Sequence, residues 1–196
     1  MVKTKIAVLV SGGGTNLQAL LDAWQAGQMP HGEIALVVSN KEGAYALTRA
    51  ERAGVPTAVI TGKDFEARLQ QALEDAGIQM IVLAGFLKIL SGDFTAKWPE
   101  RILNIHPSLI PSFCGEGYYG LKVHEEALAY GVKVTGATVH FVNEVPDGGR
   151  IVAQKAVDIL PGDTPEVLQR RVMERAEWVL LPQATELVAA ELAELV

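Results

Sequence analysis

The sequence contains a single cysteine, Cys114, among its 196 residues. One thiol cannot form an intramolecular disulfide, a cysteine zinc cluster or an iron–sulfur site, so we expect a reducing, cytoplasmic location. The sequence also has no His-x-x-x-His pair and no carboxylate cluster at metal-ligand spacing. These absences predict a protein that works without a metal.

Long apolar runs and an excess of positive charge are also missing. The run at residues 6–10 is shorter than a signal-peptide core, and the run at 80–87 is far too short to span a membrane. Seventeen basic against 23 acidic side chains give a formal net charge of −6. This charge disfavours a broad surface for nucleic acid or anionic membrane. We expect small-molecule substrates instead, and a local phosphate pocket remains compatible with the balance.

Apolar runs and helical patterns alternate along the chain. Four runs predict buried strands at residues 6–10, 34–38, 57–60 and 80–84, and amphipathic helices separate them. Such alternation is typical of a doubly wound α/β protein. The predicted fold class is therefore α/β, with a Rossmann-like, mostly parallel twisted sheet flanked by helices.

The second half of the chain is less regular. The pattern predicts a strand at 102–106, a long loop at 107–120, a helix near 122–130 and two strands at 133–142 and 151–157. Thr164 followed by Pro165 marks the start of a C-terminal helix, which we expect Pro182 to interrupt.

A glycine-rich stretch, Ser-Gly-Gly-Gly-Thr-Asn at 11–16, follows the first predicted strand. Backbone N–H groups of such a loop converge on anions, although a plain tight turn between strand and helix explains the glycines about equally well. Leu17 stands where the dinucleotide fingerprint needs a third glycine, and no Gly-Lys-Ser/Thr follows. A site for a single terminal phosphate is the functional interpretation that remains.

Asn104 and His106 alternate along the strand predicted at 102–106 and therefore share one face. Pro107 follows at once and restricts His106 to an extended conformation, so regular structure should end there. An Asn amide donates hydrogen bonds without changing charge, and a histidinium stabilises an oxyanion and delivers a proton. For that, the imidazole needs a carboxylate to raise its pKa, and Asp147 in the turn 143–150 is the best-placed candidate.

Three other histidines have simpler explanations. His31, His124 and His140 are each expected to be hydrogen-bonded structural residues, with His140 as a possible neighbour of the site. No serine or cysteine lies in a nucleophile elbow, which leaves acid–base and oxyanion chemistry.

Five motifs together resemble one known family. They are Ser-Gly-Gly-Gly-Thr-Asn at 11–16, Leu-Ala-Gly-Phe at 83–86, Leu-Asn-Ile-His-Pro-Ser-Leu at 103–109, Thr-Val-His-Phe-Val at 138–142 and Asp-Gly-Gly at 147–149. In this combination the sequence resembles the folate-dependent phosphoribosylglycinamide formyltransferases. The resemblance implies transfer of a formyl group from 10-formyltetrahydrofolate, as co-substrate, to the amine of glycinamide ribonucleotide in purine biosynthesis.

The resemblance also implies roles for individual residues. Asn104, His106 and Asp147 match the catalytic trio of the family. Ribonucleotide-binding positions are matched by Gly14, Thr15, Asn16 and Glu177. Folate-binding positions are matched by Lys63, Leu87, Lys88, Ile89, Leu90, Asn104, Asn143 and Glu144.

The expected organisation is a single formyltransferase domain over residues 1–196, as a monomer or homodimer. Within it, an N-terminal lobe at residues 1–100 would bind the ribonucleotide phosphate, and a C-terminal lobe at 101–196 would carry the catalytic and folate-binding elements.

Three alternatives to this activity remain open. A methionyl-tRNA formyltransferase domain would be expected with a further tRNA-binding domain and a basic surface. A formyltetrahydrofolate hydrolase would use a similar trio with water as acceptor, usually alongside an extra N-terminal domain. A non-enzymatic ligand-binding module would not need the intact trio.

Overall fold

The computed structural model describes residues 3–195. Within them one sheet of seven strands is flanked by helices. The strands are Thr4–Val10 (β1), Gly32–Ser39 (β2), Thr57–Val59 (β3), Met80–Leu83 (β4), Ile102–His106 (β5), Val134–Phe141 (β6) and Ile151–Asp158 (β7). The α-helices are Thr15–Gln25 (α1), Tyr45–Arg52 (α2), Phe65–Asp75 (α3), Gly92–Thr95 (α4), Leu121–Tyr130 (α5), Pro165–Val172 (α6) and Trp178–Ala193 (α7), with a π-helical turn at Met173–Glu177 between the last two.

The sheet has the strand order β3-β2-β1-β4-β5-β6-β7. The first five strands are parallel, whereas β6 pairs antiparallel with β5 and β7 pairs antiparallel with β6. The chain moves outward from β1 to β3 and then returns to place β4 on the other side of β1, which makes the β1–β4 boundary a topological switch point. The predicted Rossmann-like α/β class is confirmed.

Alternate side chains of β1 enter two separate cores. Ile6, Val8 and Val10 pack in the core on one face, together with residues of α1 and α7. Ala7 and Leu9 pack on the opposite face against α3. Burial on both faces explains why the strand is continuously apolar, and truncating one of its large side chains to alanine should cost about 2–5 kcal/mol. The doubly packed strand is a fixed platform for the loop that follows it.

The prediction that Pro182 interrupts the C-terminal helix is wrong. Pro182 lies inside α7, and the irregular segment is the π-helical turn Met173–Glu177, which ends five residues earlier. Pro182 is the fifth residue of α7, so the only helical bond it removes would run to the carbonyl of Trp178, the first residue of the same helix. A proline this close to the helix start is tolerated.

Gly136 lies on β6 where the backbone of β7 approaches closely. A Cβ atom at this position would overlap the backbone carbonyl oxygen of Lys155, which cannot move without breaking the ladder. We expect Gly136→Ala to lower the free energy of unfolding by about 1–3 kcal/mol. Urea denaturation followed by circular dichroism measures the change.

Gly13→Ala is the matched control, because nothing lies within 4 Å of a Cβ atom built there. Its unfolding midpoint should match that of the unsubstituted protein. Equal midpoints for Gly136→Ala and Gly13→Ala would show that the strands adjust to the extra carbon.

Candidate active site

The polar end of β5 meets β6 at the edge of the sheet where the parallel strands terminate. The antiparallel register sets Asn104 opposite His140 and His106 opposite Thr138. Asn104 is half-buried, whereas His106 and His140 are buried. Three polar side chains are therefore brought together on two neighbouring strands, as the alternation along 102–106 predicts for the first two.

His140 links Asn104 to the backbone. Its Nδ1 lies 2.8 Å from the carbonyl oxygen of Phe141, which only accepts, so the ring proton belongs on Nδ1. Nε2 is then free to accept the Asn104 amide N–H at 3.1 Å. This bond fixes the orientation of the Asn104 amide and leaves its second N–H for a ligand.

Asp147 folds back from the β6–β7 connection onto both histidines. One carboxylate oxygen lies 3.5 Å from Nδ1 of His106 and the other 3.4 Å from Nε2 of His140. The first oxygen also accepts the backbone N–H of Gly115 at 2.8 Å. The carboxylate thus joins β5, β6 and the loop after β5.

Local backbone geometry explains why glycines follow Asp147. Asp147 itself has φ 55°, in the left-handed region that few residues other than glycine adopt. A Cβ atom on Gly149 would overlap the carbonyl oxygen of Phe141. The Asp-Gly-Gly sequence is therefore what lets the turn return close enough to β6 to present the carboxylate, and the unusual φ is strain located at the site.

Electrostatics keep Asp147 charged and favour neutral His106. Burial raises the pKa of Asp147, but its contact with His140, the charge of His106 and the Gly115 N–H outweigh burial, so the pKa falls below its usual value. Burial lowers the pKa of His106, and the opposing effects of Asp147 and of the Phe113 carbonyl do not restore it. The expectation that Asp147 raises the pKa of His106 above its free value is therefore wrong for this state, because desolvation is the larger effect.

His106 is also engaged by the loop after β5. Its Nε2–H donates to the carbonyl oxygen of Phe113 at 2.8 Å, while Nδ1 faces Asp147. The loop contains the cis peptide Ile110–Pro111 and a positive φ of 50° at Phe113. The Phe113 carbonyl therefore occupies the Nε2–H donor of His106, which an oxyanion would need.

The glycine loop after β1 is fixed by its neighbours. Ser11 Oγ donates to Asn40 Oδ1 at 2.7 Å and accepts the Leu87 N–H at 2.9 Å, which ties together the loops after β1, β2 and β4. Gly14 has φ 75°, and a Cβ there would lie 2.6 Å from that of Ala46. The tight-turn explanation accounts for Gly14, whereas Gly12 and Gly13 have open space around them and leave their backbone accessible.

A central cavity of ≈ 570 Å³ lies beside these groups. Asn16, His106, His124 and Glu177 line this cavity, together with the loop residues 115–120. Asn16 Nδ2 donates to Glu177 Oε2 at 2.8 Å. Burial raises the pKa of Glu177, and the Asn16 bond offsets this only in part. The π-helical turn thus places Glu177 beside Asn16. The family resemblance assigns both residues to the same ligand, but no local sequence pattern predicts their contact.

A side cavity of ≈ 130 Å³ adjoins the central one. Six of the sequence-predicted folate residues line it: Leu87, Lys88, Ile89, Leu90, Asn104 and Asn143. Leu87 and Ile89 are 60% and 66% exposed, which is unusual for such side chains and suits an apolar ligand face.

Two predicted folate residues lie elsewhere. Glu144 is exposed and does not line the side cavity, although its neighbour Asn143 does. Lys63 is exposed and lies outside both cavities, two residues before Phe65, whose ring stacks with Phe86 and carries the Lys88 ammonium at 4.6 Å. The structure therefore does not bring Lys63 to the site.

Two further histidines, His124 and His140, lie at the site. His140 contacts both Asn104 and Asp147. Its alternation with Thr138 along the predicted strand was the sequence pattern that indicated a place beside the site. His124 is buried on α5 and lines the central cavity, but no residue between 3 and 195 hydrogen-bonds either ring nitrogen. No pattern in the sequence predicted that His124 would line the cavity.

Two structural features are absent from residues 3–195. No cluster of three or more His, Cys, Asp or Glu side chains is arranged to hold a metal ion. No helix in this part of the chain is both long and apolar enough to cross a membrane.

Comparison with known proteins agrees with this geometry. The formyl transferase family model matches residues 4–185. The phosphoribosylglycinamide formyltransferase of Haemophilus influenzae is 45% identical, covering 91% of this chain and 84% of that protein. The trifunctional purine biosynthetic protein adenosine-3 of Gallus gallus is 48% identical over 96% of this chain. This chain spans about a fifth of that protein, 19% of its length.

Solved structures give the same result. Glycinamide ribonucleotide transformylase 1 from Symbiobacterium toebii has a TM-score of 0.89 and 42% identity, covering 96% of this chain and 89% of that one. A formyltetrahydrofolate deformylase from Pseudomonas syringae is more distant, with a TM-score of 0.85 and 25% identity over 98% of this chain and 62% of that one.

The fold and the site define a Rossmann-like α/β protein in which Asn, His and Asp side chains at the strand ends line two adjoining cavities. Within that class, the chain belongs to the formyl transferase family.

His124 should make the folded state sensitive to acid. Burial lowers its pKa to about 4, so the unfolded chain takes up a proton near pH 6.5 that the folded chain refuses. Stability from this group is complete above pH 6.5 and falls as the pH drops toward 4. The loss between pH 7 and pH 5 should be about 2 kcal/mol.

Urea denaturation of the unsubstituted protein and of His124→Gln at both pH values measures this loss. The variant should lose about 2 kcal/mol less than the unsubstituted protein over the same interval. Equal losses in the two proteins would mean that His124 titrates normally.

Proposed function

We propose that this chain transfers the formyl group of 10-formyltetrahydrofolate to the amine of glycinamide ribonucleotide. The products are formylglycinamide ribonucleotide and tetrahydrofolate, in the synthesis of the purine ring toward IMP. The observation that carries the proposal is the meeting of Asn104, His106 and Asp147 at the boundary of two adjoining cavities. A cytoplasmic location and action as a monomer or homodimer on small molecules belong to the same proposal.

The central cavity takes the ribonucleotide. Its phosphate lies at the N-terminus of α1, where the backbone N–H groups of Gly14, Thr15 and Asn16 have no side-chain cap. Glu177, hydrogen-bonded to Asn16, is held with its pKa raised and faces the sugar. The division into a ribonucleotide lobe and a catalytic lobe is approximate, because Glu177 comes from the second half of the chain and the folate residues 87–90 from the first.

The side cavity takes part of the folate, because its volume of ≈ 130 Å³ is too small for the whole molecule. The exposed apolar side chains of Leu87 and Ile89 pack against the ring system, and Asn143 together with Asn104 supplies polar contacts. Glu144 and Lys63 lie beyond the wall and would meet only the outer part of this ligand. A surface lysine facing a folate carboxylate contributes little, about 0–1 kcal/mol.

The reaction is a direct attack of the uncharged amine on the formyl carbon. A C–N bond forms, the formyl oxygen becomes an oxyanion, and the amide N–H of Asn104 with Nε2–H of His106 donates to it. A proton then passes from the attacking nitrogen to the folate nitrogen, and the bond between that nitrogen and the formyl carbon breaks. Asp147 orients His106 throughout.

The protonation of His106 follows from the charges around it. Burial keeps the free imidazole mostly neutral, but the growing negative charge on the formyl oxygen favours the imidazolium. The Phe113 carbonyl must release Nε2 for this donor to reach the oxyanion. The Asn104 amide and the His106 ring then donate to the same oxygen.

An absorbance assay with the folate donor, with and without glycinamide ribonucleotide, tests the function. The proposal requires turnover that depends on the ribonucleotide. Turnover without it would favour a hydrolase, and no turnover in either case would favour a binding module.

Removing the oxyanion donors should be severe. Asn104→Ala and His106→Ala each lose a donor, and we expect kcat to fall by about 10²- to 10³-fold. Asp147→Asn keeps the size of the side chain but removes the charge that supports imidazolium, so its activity should fall as well. Steady-state kinetics with both substrates saturating gives the comparison.

His31→Gln is the control, because His31 precedes β2 at the opposite edge of the sheet. It should leave kcat within twofold. Near-normal formyl transfer by His106→Ala would contradict the mechanism.

A further inference from the structure

His124 is buried without a hydrogen-bond partner. It lies in the first half of α5 with 0% of its surface exposed, and neither ring nitrogen has a partner among residues 3–195. A buried polar group without a partner is costly, and most such groups in proteins are satisfied. A histidine kept in this condition next to a cavity indicates that its partner comes from outside the chain.

The chemical form of His124 limits what that partner is. Its pKa is lowered to about 4, by burial first and then by the charge of His106. At neutral pH the ring is therefore uncharged, with one N–H donor and one nitrogen acceptor. A phosphate dianion only accepts hydrogen bonds and would leave the acceptor nitrogen unpaired. A hydroxyl or a carboxamide both donates and accepts, and so matches the ring.

The location of His124 identifies which substrate carries that group. Six residues form a wall that both cavities share: Phe86, Leu87, Asn104, Ile89, Pro146 and Asp147. His124 lines only the central cavity, as do Asn16 and Glu177. A ligand in the side cavity therefore does not reach it, whereas the occupant of the central cavity does.

We propose that His124 is a specificity-determining residue that hydrogen-bonds an uncharged hydroxyl or carboxamide group of the acceptor ribonucleotide. The inference rests on the proposed function, which places the ribonucleotide in the central cavity. The ring has 0% of its surface exposed in the present structure, so the proposal requires a local displacement of the cavity wall when the ribonucleotide binds. Binding then satisfies a group that folding leaves unsatisfied.

Two substitutions separate this role from a structural one. His124→Leu removes both hydrogen-bonding atoms, and His124→Gln retains a donor and an acceptor. We expect His124→Leu to raise KM for glycinamide ribonucleotide about 3- to 10-fold, the range for one lost hydrogen bond, with KM for 10-formyltetrahydrofolate unchanged within twofold. His124→Gln should recover part of the loss.

Thermal unfolding supplies a second readout. Because leucine replaces an imidazole without a partner, His124→Leu should unfold at the same temperature as the unsubstituted protein or higher. Lower unfolding temperatures in both variants would show a structural partner and overturn the proposal. An unchanged KM for the ribonucleotide, an equal rise in both KM values, or identical behaviour of the two variants would also overturn it.

Competition by ribose 5-phosphate distinguishes the two parts of the acceptor. If the sugar hydroxyls bind His124, the inhibition constant of ribose 5-phosphate should rise in His124→Leu by the same factor as KM for the ribonucleotide. If the carboxamide binds His124, the inhibition constant of ribose 5-phosphate should stay the same. Either result supports the proposal. The unsubstituted protein is assayed alongside: if it shows no ribonucleotide-dependent turnover, the proposed function fails, whereas a normal enzyme with unaffected variants means that only the role of His124 fails.

Discussion

A single desolvated carboxylate, that of Asp147, connects the parts of this site. Its two oxygens face His106 and His140, and one of them also accepts the Gly115 N–H. Burying a carboxylate is unfavourable unless such partners are present, so the position of each partner depends on the others. Strands β5 and β6, the turn after β6 and the loop after β5 all converge on this group. The strained backbone of Asp147 and the glycines behind it are the local cost of presenting it.

Burial acts in one direction on three other ionisable groups that line the central cavity. It lowers the pKa of His106 and His124 and raises that of Glu177, so each is moved toward its neutral form. Among these four groups, Asp147 alone is shifted toward its charged form. The site therefore contains one negative charge among neutral donors and acceptors. Such donors stabilise a second negative charge when it develops on a bound substrate.

Much of this arrangement was predictable from local sequence. Continuous apolar strands, the polar alternation of Asn104 and His106, and the Asp-Gly-Gly turn are short-range signals with direct physical causes. Pairings between distant segments were not predictable, because no local pattern sets Asn104 opposite His140 or brings Glu177 to Asn16. The protonation of His106 was misjudged for a related reason: the attraction of a carboxylate is visible in sequence, whereas the extent of burial is known only from the packed structure. The interruption predicted at Pro182 was wrong because the effect of a proline depends on its distance from the start of its helix, here α7.

The shared wall between the two cavities has an evolutionary consequence. Phe86, Leu87, Ile89, Asn104, Pro146 and Asp147 serve both cavities, whereas Asn16, Glu177 and His124 serve only the central one. Mutations at the residues that line only the central cavity change the contacts of one ligand and leave the shared wall intact. In a scaffold partitioned in this way, substitutions at a few helical positions can change the ligand of one cavity while the lining of the other is inherited unchanged.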